Sequence, residues 1–133
     1  MDGMRQGDFL DRGRELQISA ERQRKRGMLV EAGQGIGEAA IYYLKAICVA
    51  ENVPCEQERD YFIAAGEIAR RLKTQNINKQ FGLAVILYLN GKAEVSADGE
   101  EGIVHLTGDQ IKTYFKEVQK FIHLAHNRLR YAE

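Results

Sequence analysis

The stretch that most constrains this chain is residues 28–52, which is long, apolar and free of proline. Within it Leu29, Ile36, Ala40, Tyr43 or Leu44, and Ile47 recur at three- and four-residue steps, which places them on one side of an α-helix. No other segment offers as much surface to bury. A central helix is therefore predicted over 28–52, and the remaining elements must be arranged to cover it.

A chain of 133 residues fits a single domain, 1–133, large enough to bury a core without disulfides or metals as staples. With 44% hydrophobic and 29% charged residues it has the composition of a soluble globular protein rather than a disordered one. Basic and acidic residues balance at 19 each, so a general electrostatic grip on nucleic acid or an anionic membrane is not implied. Any such binding needs a local patch. The two cysteines, Cys48 and Cys55, are too few for a secreted disulfide scaffold and do not match zinc-site spacing; they read as reduced thiols. Residues 1–17 hold no apolar core of signal-peptide length, and the longest apolar run, 83–89, falls far short of the ~20 residues of a membrane helix. A cytoplasmic protein without membrane association is expected.

Residues 1–7 read as a loose tail. A first helix is predicted over 9–26, with Asp8 as its cap and Phe9, Gly13, Leu16 and Ala20 as a thin apolar stripe. Its end is basic, residues 21–26, and Gly27 follows; cations in a last turn and a glycine just beyond are helix stop signals. The central helix breaks near Val53, ahead of Pro54. Further helices are predicted over 56–74, 78–90 and 109–131. The first of these buries Tyr61, Ala65, Ile68 and Leu72. Residues 81–89 are apolar on every side, so a buried helix is the first choice there and a central strand the second. Between 92 and 107, two short β-prone runs about Asp98-Gly99 suggest a small hairpin. In the last helix Ile111, Phe115, Val118, Ile122, Ala125 and Leu129 form an unbroken apolar stripe. The predicted fold class is all-α: an antiparallel four- to five-helix up-down bundle with a small β-hairpin excursion near 92–107.

Two features bear on function. Gly33, Gly35 and Gly37 do not complete a dinucleotide fingerprint, because the sixth position is Glu38, and no Lys-Ser or Lys-Thr follows to make a phosphate loop. Glycine inside a helix costs up to ~1 kcal/mol relative to alanine. Gly33 and Gly37, which share a face, are therefore expected at a dimer interface or a close helix contact. In the last helix Lys112, Lys116, Lys120, His123, Asn127 and Arg130 fall on one side, away from the apolar stripe, and Glu117 is the only acid among residues 110–132. Like charges four apart repel, so this stripe is either a solvated face or an anion-binding ridge for a nucleotide or RNA backbone. His123 and His126 lack the companion carboxylates of a di-iron bundle, and neither Ser19 nor Ser96 stands in a nucleophile context. No metal, cofactor or catalytic residue is assigned.

The polar first helix, Gly27 at the bend, Ala32-Gly33, Ile36, Ala39-Ala40 and Tyr43-Leu44-Lys45-Ala46 together resemble the HEPN superfamily of small prokaryotic helical domains, over roughly residues 8–131. The resemblance implies a four- or five-helix up-down bundle, usually homodimeric. Roles in that family include nucleotide or RNA binding, partnership with small nucleotidyltransferases, and ribonuclease activity in toxin systems. Its ribonucleases carry an arginine, four to six residues, then a histidine on the last helix. Here lysines 112, 116 and 120 precede His123 and His126, while Arg128 and Arg130 follow them. The expectation is thus a non-catalytic, HEPN-like binding module for a nucleotide or RNA phosphate, or for a nucleotidyltransferase partner. The alternative is a structural or protein-interaction bundle with no small-molecule ligand, and a ribonuclease toxin ranks behind both.

Overall fold

The computed structural model describes residues 6–57, 60–74, 76–95, 101–103 and 105–132, with the backbone alone for 93–95, 101–103 and 130–132. Its helices are α1 (Gln6–Lys25), α2 (Leu29–Glu51), α3 (Tyr61–Leu72), α4 (Asn76–Leu89) and α5 (Gly108–Ala132). α2 is the hub: α1, α3, α4 and α5 all pack against it, and α4 packs in addition on α3 and α5. Buried residues run around α2 rather than along one stripe, including Ala32, Ile36, Ala39, Ala40, Ile41, Tyr43 and Leu44. A helix enclosed by others must be apolar on most sides, and this one carries no charged residue between Glu38 and Lys45.

The largest fully buried side chains are Tyr43, Phe81, Phe115 and Phe121, surrounded by Ile36, Leu44, Ile47, Ile68 and Leu87. Phe81 stands edge-on to Phe121, with ring centroids 6.4 Å apart, an arrangement the aromatic quadrupole favours. Small residues set how closely the helices approach. A Cβ on Gly13 would come within 3.0 Å of the Tyr43 ring, so α1 lies directly over that ring. A Cβ on Gly37 would run into the α4 backbone at Ala84 and Tyr88, and one on Gly33 would meet Leu87 and Ile111 at 3.1 and 3.3 Å.

The joints follow from local chemistry. Gly27 takes φ +81° between α1 and α2, and Asn52 takes φ 56° after α2. At Asn52 the chain reverses so that the Val53 amide donates to the Cys48 carbonyl at 2.8 Å, the C-terminal closure that a left-handed residue permits. α3 starts at Tyr61 rather than at 56: Pro54 holds the connector out of helix, and ahead of α3 the Asp60 amide donates to the Gln57 carbonyl at 2.9 Å. Asp8 lies inside α1 instead of capping it, and Gln6 and Gly7 are helical rather than part of a tail; residues 1–5 lie outside the described residues. Residues 81–89 are helical, within α4. α5 opens on a capping box: Gln110 N–H donates to Thr107 Oγ1 at 3.1 Å, and Thr107 N–H donates to Gln110 Oε1 at 2.9 Å.

The fold-class expectation needs one correction, the β-hairpin over 92–107. The architecture is all-helical, and this stretch adds no sheet layer to it. Among the described residues, the chain there comes together as two three-residue segments, Ala93–Val95 and Glu101–Ile103, with Ala93 opposite Ile103 and Val95 opposite Glu101. Two strands of that length offer too little apolar face to form an independent element in water. The Asp98-Gly99 turn and Val104 lie outside the described residues. What anchors the connection is Asn90, buried at the end of α4. Its Oδ1 accepts from the Leu106 amide at 3.1 Å, and its carbonyl accepts from Gln34 Nε2 at 2.6 Å. One side chain thus ties the exit from α4 to the approach of α5, and Gln34 ties both to α2.

Candidate anion-binding groove

α1 and α5 lie on the same side of α2 and run antiparallel. Gln17, Glu21 and Arg24 on α1 meet His126, Gln119 and Phe115 on α5, so one numbering rises as the other falls. The contacts are made by long polar side chains. Gln119 Nε2 donates to Glu21 at 3.1 Å. The Tyr43 hydroxyl, rising from α2, donates to Gln17 Oε1 at 2.8 Å and lies 2.7 Å from His126 Nε2. Burial pushes the Tyr43 phenol above its ordinary range, with Glu21 adding to the effect and Arg14 opposing it. The phenol therefore stays protonated and serves as a fixed hydrogen-bonding post between the two outer helices.

Above these contacts the helices leave a groove made of two open depressions that share Lys116. One, of about 470 Å³, is lined by Gln17, Glu21, Lys116, Gln119, Lys120, His123 and His126. The other, of about 440 Å³, is lined by Arg24, Lys25, Leu29, Lys112 and Lys116. The basic stripe of α5 thus forms one wall, and the basic end of α1 faces it across the second depression. Arg24 lays its guanidinium over the Phe115 ring, 5.1 Å from the centroid. Its buried Nε has no hydrogen-bond partner among the described residues, which leaves a donor unsatisfied at the wall of the groove.

Of the stripe residues, Lys112, Lys116, Lys120 and His123 are exposed and line the groove. Arg130 belongs to α5, but its side chain lies outside the described residues. Lys120 is paired with Glu117 at 2.6 Å, a bond that holds the Glu117 carboxyl below its usual range. Arg128, the other arginine past the histidines, is committed elsewhere: it holds Glu51 at the end of α2 at 2.5 and 3.2 Å. Gly33 and Gly37 do not reach the groove. Both stand at close helix contacts within the chain, against α4 and α5.

Sequence reasoning missed the α1 wall. Arg24 and Lys25 read as a helix stop signal, which they also are; Gln17, Glu21 and Gln119 carry no pattern, and His126 is weighed only with His123 as a metal pair. The available signal was topological. In an antiparallel bundle the basic end of one outer helix can lie beside the basic start of another.

The groove combines four lysines, Lys25, Lys112, Lys116 and Lys120, with Arg24 against one lining carboxylate, Glu21. That set suits an anion with several oxygens: guanidinium offers paired N–H donors in a plane, and the ammonium groups act as point charges. No described helix is long and apolar enough to cross a membrane. No protein-family model matches the chain, and no curated protein matches it. Among solved structures it is similar to a crystal structure of a protein from Sulfolobus solfataricus, with a TM-score of 0.67 and 20% identity over 88% of this chain and 95% of that one. At that identity the likeness concerns the fold alone. This helical arrangement therefore also occurs in an archaeal protein of nearly the same extent.

Proposed function

We propose that this protein is a non-catalytic, HEPN-like binding module, cytoplasmic and homodimeric, whose α1–α5 groove takes a phosphate-bearing ligand: a nucleotide or an RNA backbone. One observation carries the proposal: Arg24 and Lys25 from one helix and Lys112 and Lys116 from another line a single depression. In a chain with no net charge, that concentration of cations is a local departure, and a phosphate between the walls would offset the repulsion along α5. Docking of a nucleotidyltransferase partner through the same surface is the variant of this reading to which a negative ligand titration would lead.

The test is calorimetric titration at low salt with inorganic phosphate, mononucleotides and a short mixed-sequence RNA. Binding that weakens steadily with added salt, and that is lost in a Lys112→Gln/Lys116→Gln/Arg24→Gln protein with an unchanged circular dichroism spectrum, is the expected result. Absence of binding by all three probes overturns the phosphate reading. RNA is expected to survive incubation intact.

A second reading, a protein-interaction bundle without a small-molecule ligand, draws on α3. Phe62 is 55% exposed and Ile63 75% exposed there, and neighbouring large apolar side chains left in water favour a partner. Because Gly33 and Gly37 are occupied within the chain, a homodimer would use a face such as this one. Light scattering of wild type and of a Phe62→Ser/Ile63→Ser protein decides it.

A further inference from the structure

We propose that the groove, taken as the phosphate site proposed above, selects guanosine phosphates: the depression around Glu21 reads the guanine base, and the depression around Arg24 holds the phosphate. The two halves differ in charge. Arg24, Lys25, Lys112 and Lys116 line the second, with no carboxylate among its lining residues. The first shares Lys116 with it, but its other lysine, Lys120, is bound to Glu117 at 2.6 Å, and Glu21 adds a negative charge of its own. A phosphate is drawn to the second half, and the first is left for a group that is neutral and rich in donors.

Glu21 stands among cations yet forms no ion pair with the described residues. What holds it is a neutral amide: Gln119 Nε2 donates to Glu21 Oε2 at 3.1 Å. That bond positions the carboxylate without neutralising it, and Oε1 keeps its acceptor capacity at the wall of the depression. Gln17 lies one turn earlier on the same face of α1. Its oxygen accepts from the Tyr43 hydroxyl at 2.8 Å, so its amide nitrogen, which has no partner among the described residues, is the end left to donate. The wall thus offers a carboxylate beside an amide donor. Guanine is the base whose Watson–Crick edge matches, with two adjacent donors, N1–H and the N2 amino group, followed by the O6 acceptor. Adenine and cytosine would bring a ring-nitrogen lone pair against the carboxylate, and uracil presents one N–H between two carbonyls.

The spacing suits one nucleotide. Along α1, Arg24 lies seven residues beyond Gln17 and three beyond Glu21, about 10 and 4.5 Å of helix rise, a reach of the same order as that from a base edge to its 5′-phosphate. Lys116, common to both depressions, falls between base and phosphate. His123, exposed one turn beyond Gln119 on α5, offers an imidazole face for the base to stack on.

The experiment is calorimetric titration of the full chain at low salt with GMP, AMP, inosine 5′-monophosphate and inorganic phosphate. Inosine differs from guanosine only in lacking the N2 amino group. GMP is expected to bind about tenfold or more tightly than either of the other nucleotides, the effect of one hydrogen bond to a charged group. Glu21→Gln, which keeps the size of the side chain, should bring GMP down to the affinity of AMP. It should leave AMP bound as well as before or better, since a negative charge near the phosphate is gone. A merely structural role for Glu21 would weaken both nucleotides together, and that result overturns the base assignment. A free nucleotide and a guanosine within RNA share this chemistry. A five-residue RNA with one central guanine among uracils, set against its adenine counterpart, tells them apart: preference in the mononucleotides alone assigns the free nucleotide, and preference in the oligomers assigns RNA. Equal binding of guanine and adenine ligands in both formats, with phosphate still bound, overturns the base assignment and leaves the phosphate reading standing. Absence of binding by every probe overturns both.

Discussion

Gly37 of α2 lies against the carbonyl of Ala84 on α4, so close that a methyl group at position 37 would collide with that oxygen and stand 2.8 Å from the Tyr88 amide nitrogen. Backbone atoms cannot step aside as a side chain can. Gly37→Ala is therefore expected to destabilise the protein by about 3 kcal/mol, the upper end of ordinary overpacking. Gly82→Ala, in the middle of α4 with nothing near the added methyl, should stabilise by up to about 1 kcal/mol through helix propensity. Urea unfolding of the two variants side by side checks both signs; a Gly37→Ala protein as stable as wild type would show that α2 and α4 do not approach this closely.

The Tyr43 hydroxyl gives a second expectation. Tyr43→Phe removes the group that joins Gln17 of α1 to His126 of α5 and should cost about 1–2 kcal/mol, since polar groups are left behind in a partly buried place. The same tyrosine sets an alkaline limit. Its folded pKa lies above the ordinary value of 10.0, so the folded state retains the proton more tightly than the unfolded chain. The associated stability is present below pH 10 and declines as pH rises beyond it. Denaturant midpoints across that range should fall more steeply in wild type than in Tyr43→Phe.

Glu67 governs the acid side of α3. Its carboxylate accepts from Arg70 Nε at 3.0 Å and from Arg71 Nε at 2.8 Å, and these bonds hold its pKa down to about 2 from an ordinary 4.5. A depressed folded pKa means that the contribution is present above pH 4.5 and is lost as pH falls toward 2. The pairs are on the surface, so the effect should be small. NMR titration of the Glu67 side chain gives the folded value directly, and Glu67→Gln should flatten the stability profile in that window.

Asn90 is the fourth test. Asn90→Ala strips the acceptor from the Leu106 amide at a buried position and should cost about 1–3 kcal/mol. Hydrogen exchange should show the Leu106 amide losing its protection before the interior of α5 does.

Much of the helical frame was legible because it rests on periodicity. The stripe from Ile111 to Leu129 could be buried in only one way, and Gly27 and Pro54 marked two ends of helices by backbone chemistry alone. The start of α3 was less legible: Glu56, Glu58 and Asp60 resemble a helix opening, yet the helix begins only at Tyr61, after the Asp60 amide has bonded back to the Gln57 carbonyl. The hairpin was over-read because Ile103 and Val95 carry β propensity, which expresses packing against neighbours rather than an intrinsic preference of the backbone. At the candidate site one wall was legible and one was not. Lys112, Lys116 and Lys120 announce themselves by their spacing, whereas Arg24 and Lys25 become part of a site only through the antiparallel pairing of α1 with α5. That pairing links residues about ninety positions apart in sequence, beyond the reach of any local pattern.

The placement of α2 has a consequence for how the molecule comes apart. Every other helix rests on it, so releasing any one of them uncovers part of the same apolar cylinder. Such a protein offers no seam along which a stable half could separate. The amides between Ile36 and Ile47 should exchange with solvent only through opening of the whole molecule, and a chain cut in any connector should be recovered as a non-covalent complex of its pieces or not at all.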